Sequence, residues 1–317
     1  MDAGRDAQPF RLPDAQSTRT DAPPGLGPPY PIVLAHGFFG FDQFAGIDFV
    51  TYFHGVRDHL NSQGELQVYT PAVDPFNDSE TRGAELLAHV ERILAETGHE
   101  KVNLIAHSQG GLDARYVASL RPELVASVTT IATPHRGTPV ADVILELVQS
   151  DDLRALADAL VRLIGAPLWD AAGDETSVFA SLRQFSTPGI TAFNERYPDA
   201  PGVAYYSLSG RSDREPHAGP CVATRSPDFM RYWEPELDPI EPLLLVPEAI
   251  ADGSGADAND GLVRVADARW GRFLGCIPAD HFDEIGQLFG DSPGVGNRFD
   301  HLRFYADLVL WLRTQGH

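Results

Sequence analysis

The sequence predicts an α/β fold: a mostly parallel central sheet flanked by helices, carrying a helical insertion. Three observations point there. Short apolar runs at residues 31–35, 66–70, 102–106 and 125–132 alternate with segments of helical periodicity, the pattern of strands joined by crossover helices. Residues 81–96 place Leu86, Leu87, Val90, Ile93 and Leu94 at helical spacing. The run 102–106 drives into Ala106-His107-Ser108-Gln109-Gly110-Gly111, with helix formers following from Leu112 to Leu120. A strand entering a small-x-Ser-x-Gly turn before a helix lifts one hydroxyl clear of the backbone.

Along the chain, residues 1–30 are polar and proline-rich and read as a flexible arm. Order is expected from residue 31, and residues 31–317 form one domain. A helical stretch is expected near 52–61, and another in the C-terminal run 302–312. Residues 139–200 read mostly as helix, with no clear strand until 203–208. Within the insertion Val143, Ile144, Leu145, Leu153, Leu156, Leu160, Leu163 and Ile164 form a broad apolar face, ended by Gly165 and Pro167. Asp142, Glu146, Asp151, Asp152 and Asp158 interrupt it. Such a face suits either ordinary core packing or an amphipathic lid over a site.

Composition narrows the function. The 317 residues are 43% hydrophobic and 22% charged, ordinary for a globular chain. A net charge of −21 argues against nucleic acid and against attraction to anionic lipid. Lys101 is the only lysine. No apolar run reaches membrane-spanning length, and residues 1–6 lack the apolar core of a signal peptide. The chain is therefore expected to be an intracellular product or the mature or trimmed form of an exported one. Cys221 and Cys276 are too few and too isolated for a zinc site. They form either one disulfide or two core thiols.

Ser108 needs a histidine to take its proton and a carboxylate to orient that histidine. Strand–turn–helix hydrolases place these downstream, carboxylate first. Asp260, in a turn that Gly261 permits, is the best carboxylate, with Asp252, Asp257 and Asp267 as competitors. His281 is the best histidine, and His301 its rival. His107 is expected to point elsewhere on the elbow, and His135 to line the cleft. Oxyanion donors are expected from the N–H of Gln109 and that of Phe38, the latter in the His36-Gly37-Phe38 loop after the first strand.

With these motifs in hand, residues 30–317 resemble the bacterial true lipases of the Pseudomonas, Burkholderia and Proteus group, within the α/β-hydrolase fold. The segments carrying the likeness are Tyr30 to Gly37, Ser79 to Gly83, the Ser108 elbow, residues 187–198, Leu237-Asp238-Pro239, Asn259 to Val263, and His281 to Glu284 with Gln287. The resemblance implies a serine lipase acting on acylglycerols at an oil–water interface, secreted and monomeric, for which a dedicated foldase stays open. The alternatives are a short-chain or polyester esterase, or a non-catalytic relative. It carries the triad onto Ser108, Asp260 and His281 and gives Arg82 the task of steadying the oxyanion loop. It also implies a structural calcium ion, held by the carboxylates of Asp238 and Asp283 and the carbonyls of Gln287 and Asp291. Ala106 departs from the usual first glycine of the elbow, Asp291 stands where the family is usually apolar, and residues 209–236 match nothing in it.

Overall fold

The computed structural model describes residues 26–38, 52–147, 175–212, 221–233, 238, 240–253, 257–287, 293 and 297–317. Its framework is a six-stranded parallel sheet in the order β2-β1-β3-β4-β5-β6. The strands are β1 (Ile32–Ala35), β2 (Val68–Tyr69), β3 (Val102–His107), β4 (Val125–Ile131), β5 (Ala204–Gly210) and β6 (Arg272–Ile277). The helices are α1 (Val56–Ser62), α2 (Ser79–Thr97), α3 (Gly110–Leu120), α4 (Pro139–Leu147), α5 (Glu175–Phe185), α6 (Thr187–Arg196), α7 (Leu245–Asp252), α8 (Val265–Ala268) and α9 (His301–Thr314). The expected fold class is the observed one.

Alternation along β1 shows why both faces must be covered. Ile32 and Leu34 point to one face, packing with Val56, Leu60, Phe304 and Leu308 of α1 and α9. Val33 and Ala35 point to the other, packing with Leu86, Val90 and Val117 of α2 and α3. Every residue of β3 and β4 is buried. A strand covered on both sides reads as a continuous apolar run. Asn103, a buried polar residue within β3, takes a 2.7 Å hydrogen bond from Ser127 Oγ on β4. The long helix α2 starts where the Asp78 carboxylate caps Thr81 N–H at 2.9 Å and stops at left-handed Gly98.

Two expectations change. Leu26 is already paired: its N–H donates to Gly98 O at 2.7 Å and its carbonyl accepts from Glu100 N–H at 3.0 Å. The end of the proline-rich arm is thus tied to the turn between α2 and β3. Strand β6 was not legible as a strand: Gly275 interrupts it at φ +133°, and the β5–β6 register shifts near Leu208. Such a break erases the alternation by which a strand is recognised.

Of the insertion, α4, α5 and α6 are described. They form an apolar body from Val140, Ile144, Phe179, Leu182, Ile190 and Phe193. Asp142, expected as a charge interrupting an apolar face, accepts from Thr187 N–H at 3.0 Å and Thr187 Oγ at 2.7 Å, locking α4 to α6. Leu153, Leu156, Leu160, Leu163, Ile164, Gly165 and Pro167 lie outside the described residues.

Candidate active site

The elbow is assembled by contacts that few sequences permit. Ser108 sits between β3 and α3 at φ +54°, in the left-handed region. Its N–H donates to Ile131 O at 2.9 Å, and its carbonyl accepts from Thr133 Oγ at 2.7 Å. Gly110 and Gly111 are required by space: a Cβ at Gly110 would lie 2.3 Å from Ala35 O, and one at Gly111 2.0 Å from Thr133 Oγ. Ala106, the departure from the usual motif, is fully buried in β3 without strain on the strand.

Three loops meet at this serine. His281 Nε2 lies 3.0 Å from Ser108 Oγ, and its Nδ1 lies 2.8 Å from Asp260 Oδ2. A carboxylate only accepts, so the proton sits on Nδ1 and Nε2 is left to accept the serine proton. The other oxygen of Asp260 accepts from Leu262 N–H at 2.9 Å and Val263 N–H at 2.7 Å. Gly261 at φ +94° makes that turn possible. The backbone N–H of His281 donates to Asp260 O at 2.9 Å, fastening one loop to the other.

The competitors are accounted for. Asp252 accepts from Asn259 Nδ2 at 2.8 Å, and Asp257 lies 3.6 Å from Arg264. Asp267 lies on α8, its pKa raised by burial. His301 Nε2–H donates to His54 O at 2.8 Å and packs beneath Gly286. His135 does not line the cleft as expected: it is fully buried, stacked on Trp270 and 3.0 Å from Thr130 Oγ.

On the oxyanion side, Gln109 heads α3, and its side-chain amide donates to Asn77 O at 2.7 Å, away from the serine. Phe38 follows β1 with its ring edge-on to Phe76 and Phe185, both at 5.9 Å between centroids. Arg82 is fully buried rather than a surface charge. It donates to His36 O at 2.7 Å and to Asp74 O at 2.5 Å, while Nε pairs with Asp113 at 2.9 Å. Burial pushes the Asp113 carboxyl up to about 6 against the pull of Arg82.

Behind the triad lies a buried polar chain that the residue pattern hid. His107 Nε2 is 2.7 Å from Glu284 Oε2, and its Nδ1 is 2.7 Å from the Tyr52 hydroxyl. Its ring is 4.5 Å from that of His281. Burial, then the Asp260 charge, holds the Glu284 carboxyl well above the usual range. Burial and His281 push His107 well down, so the pair is a neutral hydrogen bond.

A second cluster sits beside the histidine loop. The carboxylates of Asp238, Asp280 and Asp283 offer oxygens within 4.8 Å of one another, all buried. Among the described residues both Asp238 oxygens lack a hydrogen-bond partner, and burial, then Asp280, raises its carboxyl to about 8. The expected pair Asp238 and Asp283 is thus together. Asp280 is the addition, and three acids within residues 280–284 were the available signal. Gln287 adjoins them, its side-chain Nε2 donating to Tyr52 O at 3.0 Å. Asp291 lies outside the described residues.

A parallel sheet with a serine elbow after its central strand, and carboxylate and histidine on later loops, defines an α/β-hydrolase. The α/β-hydrolase fold family model matches residues 30–173. Triacylglycerol lipases from Vibrio cholerae and Burkholderia plantarii are 38% and 33% identical, each over 82% of this chain and 81% and 80% of their own lengths. One from Pseudomonas fragi is 31% identical over 90% of this chain and 97% of its own. The crystal structure of Staphylococcus hyicus lipase superposes with a TM-score of 0.61 at 18% identity, covering 90% of this chain and 95% of that one, a likeness of fold. The chain belongs to the bacterial triacylglycerol lipase family.

Proposed function

We propose that this chain hydrolyses the carboxyl esters of acylglycerols through an acyl-enzyme on Ser108. The observation that carries this reading is the unbroken relay from Ser108 Oγ through His281 to Asp260, at 3.0 and 2.8 Å. His281 takes the serine proton as Oγ attacks the ester carbonyl, then returns it to the departing alcohol. Water repeats the sequence to release the fatty acid. Asp260 holds the imidazole in its tautomer and balances its transient charge. The N–H groups of Phe38 and Gln109 receive the oxyanion, and Arg82 supports the Phe38 loop through the His36 carbonyl. The acyl chain rests against the apolar body of α4, α5 and α6 beside Phe38.

The acidic cluster fits calcium. Three buried carboxylates, one of them with both oxygens orphaned, are the hard oxygen donors this ion takes. Asp238 and Asp283 would hold it, with Asp280 adding charge and the carbonyls of Gln287 and Asp291 completing the shell. Bound there, it would neutralise the cluster and tie the loop of residue 238 to the histidine loop. Secretion agrees with the disulfide between Cys221 and Cys276, a bond that persists in oxidising compartments. Among the described residues no helix is long and apolar enough to cross a membrane. The chain is taken to act as a monomer, with a foldase requirement left to expression trials.

The test is Ser108→Ala assayed on emulsified long-chain triglyceride and on soluble short-chain esters. Turnover of both should fall by at least about 10⁴-fold with the fold retained. Full activity in the variant overturns the assignment, and a parent confined to soluble short-chain esters overturns the lipase reading while leaving the triad.

A further inference from the structure

At the edge of the sheet, beside β6 and the turn before it, lies an open cleft of about 660 Å³. Its wall includes Arg136, Arg225, Arg269 and Arg272, with Trp270 and one carboxylate, Asp199. In a chain with 24 basic and 45 acidic residues, this wall locally reverses the sign of the surface.

Asp199 can offset at most one of the four arginine charges. The Asp199 carboxylate accepts from Trp270 Nε1 at 2.8 Å and faces the buried Arg115 at 3.9 Å, whose guanidinium lies 3.8 Å over the Trp270 ring. Its charge is thus shared with the buried Arg115, although the carboxylate stays 40% exposed on the wall. Arg136 is within electrostatic reach of Asp267. Among the described residues Arg225, Arg269 and Arg272 pair with no carboxylate. What holds them is weaker. Arg269 lies 4.5 Å over the Phe273 ring, Arg272 lies 5.4 Å over Trp311 and donates to Arg225 O at 3.3 Å. Arg136 spends Nη1 on Ala266 O and Arg269 O, at 2.7 and 2.8 Å. Among the described residues, most guanidinium donors in the wall therefore have no protein acceptor.

Four guanidinium groups gathered in a concavity repel one another, and an anion relieves that repulsion. Paired N–H donors on a planar fork match the oxygens of a phosphoryl group, which several arginines can grip at once. Trp270 supplies a flat wall for whatever the phosphoryl group carries. We propose that this cleft binds a phosphoryl group, presented by an anionic lipid headgroup or by free phosphate. None of its wall belongs to the Ser108 relay, so binding and ester hydrolysis are separable.

The experiment titrates the full chain with inorganic phosphate by calorimetry at constant ionic strength. It also measures binding to phosphatidylcholine vesicles with and without phosphatidylglycerol. Saturable phosphate binding is expected, weakened at least tenfold in R225Q/R269Q/R272Q, while hydrolysis of a soluble short-chain ester in phosphate-free buffer matches the parent. Preference for anionic vesicles, lost in the same variant, supports the headgroup. Phosphate binding without vesicle preference supports the free anion. A control of equal charge change elsewhere, R57Q/R121Q/R303Q, should keep the binding. Should the triple variant fail to fold, R225Q alone, which leaves the carbonyl contact of that exposed residue intact, should cost at least threefold. The absence of both saturable phosphate binding and vesicle preference overturns the proposal, as does an equal loss in the control variant.

Discussion

At the scale of single residues, the site concentrates strain and unpaired polarity where chemistry is proposed. Ser108 holds φ +54°, a region that costs an L-residue with a side chain on the order of 1–2 kcal/mol. The cost is tolerated because Ile131 O, Thr133 Oγ and the close approach of Gly37 overdetermine the turn. Ser108→Gly should therefore abolish turnover yet raise stability by about 1 kcal/mol, whereas Ser108→Ala keeps the strain. Urea denaturation of parent, Ser108→Ala and Ser108→Gly decides it: a glycine variant no more stable than the alanine one excludes stored strain. Ser108, Asp260 and His281 were legible in sequence because chain order and turn residues constrain them. Glu284, His107 and Tyr52 were not, since the buried chain depends on packing between segments 177 and 55 positions apart.

At the scale of elements, strands and helices with uninterrupted periodicity were readable, from β1 through β4 and in α2, α3 and α9. β6 was not, because Gly275 breaks its pattern. The element nonetheless holds a structural device beside the site. Cys276 on β6 is bonded to Cys221, with Cα atoms 5.4 Å apart, and both cysteines also pack against Ala258, Val265 and Phe273. The sequence left pairing open because a separation of 55 positions says nothing of distance. Closing a loop of that length restrains the unfolded chain by about 4 kcal/mol. Cys221→Ser/Cys276→Ser should lose roughly that much stability in chemical denaturation, while activity at 25 °C persists, since the Asp260–His281 backbone bond holds the catalytic loops together independently. A double variant of unchanged stability would show that the 221–233 segment is held by packing alone.

At the scale of the whole molecule, opposing sets of buried titratable groups govern the response to acid. His36, His107 and His135 are held neutral by burial, His36 down to about 3 and the others well below the ordinary value. Their folded values lie below the unfolded value near 6.5, so the unfolded chain binds more protons, and stability falls as pH drops below 6.5. Each such group contributes a slope of up to about 1.4 kcal/mol per pH unit. Asp238, raised to about 8, and Asp280, raised by burial, act with the opposite sign. The folded chain keeps protons that the unfolded chain releases above about 4, so these groups add stability as pH falls through their folded values. In the ion-free chain the two sets offset one another between about pH 4 and 6.5. Calcium at the proposed site would bind the ionised carboxylates and take Asp238 and Asp280 out of the offsetting set. At pH 8 with calcium at a hundred times its dissociation constant, stability should exceed that of the chelated protein by about 2.7 kcal/mol. Acidification from pH 8 to 5 should then shrink that difference toward zero, because the ion must compete with protons, so the calcium form has the steeper decline. Thermal denaturation across this range, with calcium and with chelator, measures both curves. Coincident curves at pH 8 exclude the ion, and parallel displaced curves place it at carboxylates other than the buried cluster of Asp238, Asp280 and Asp283.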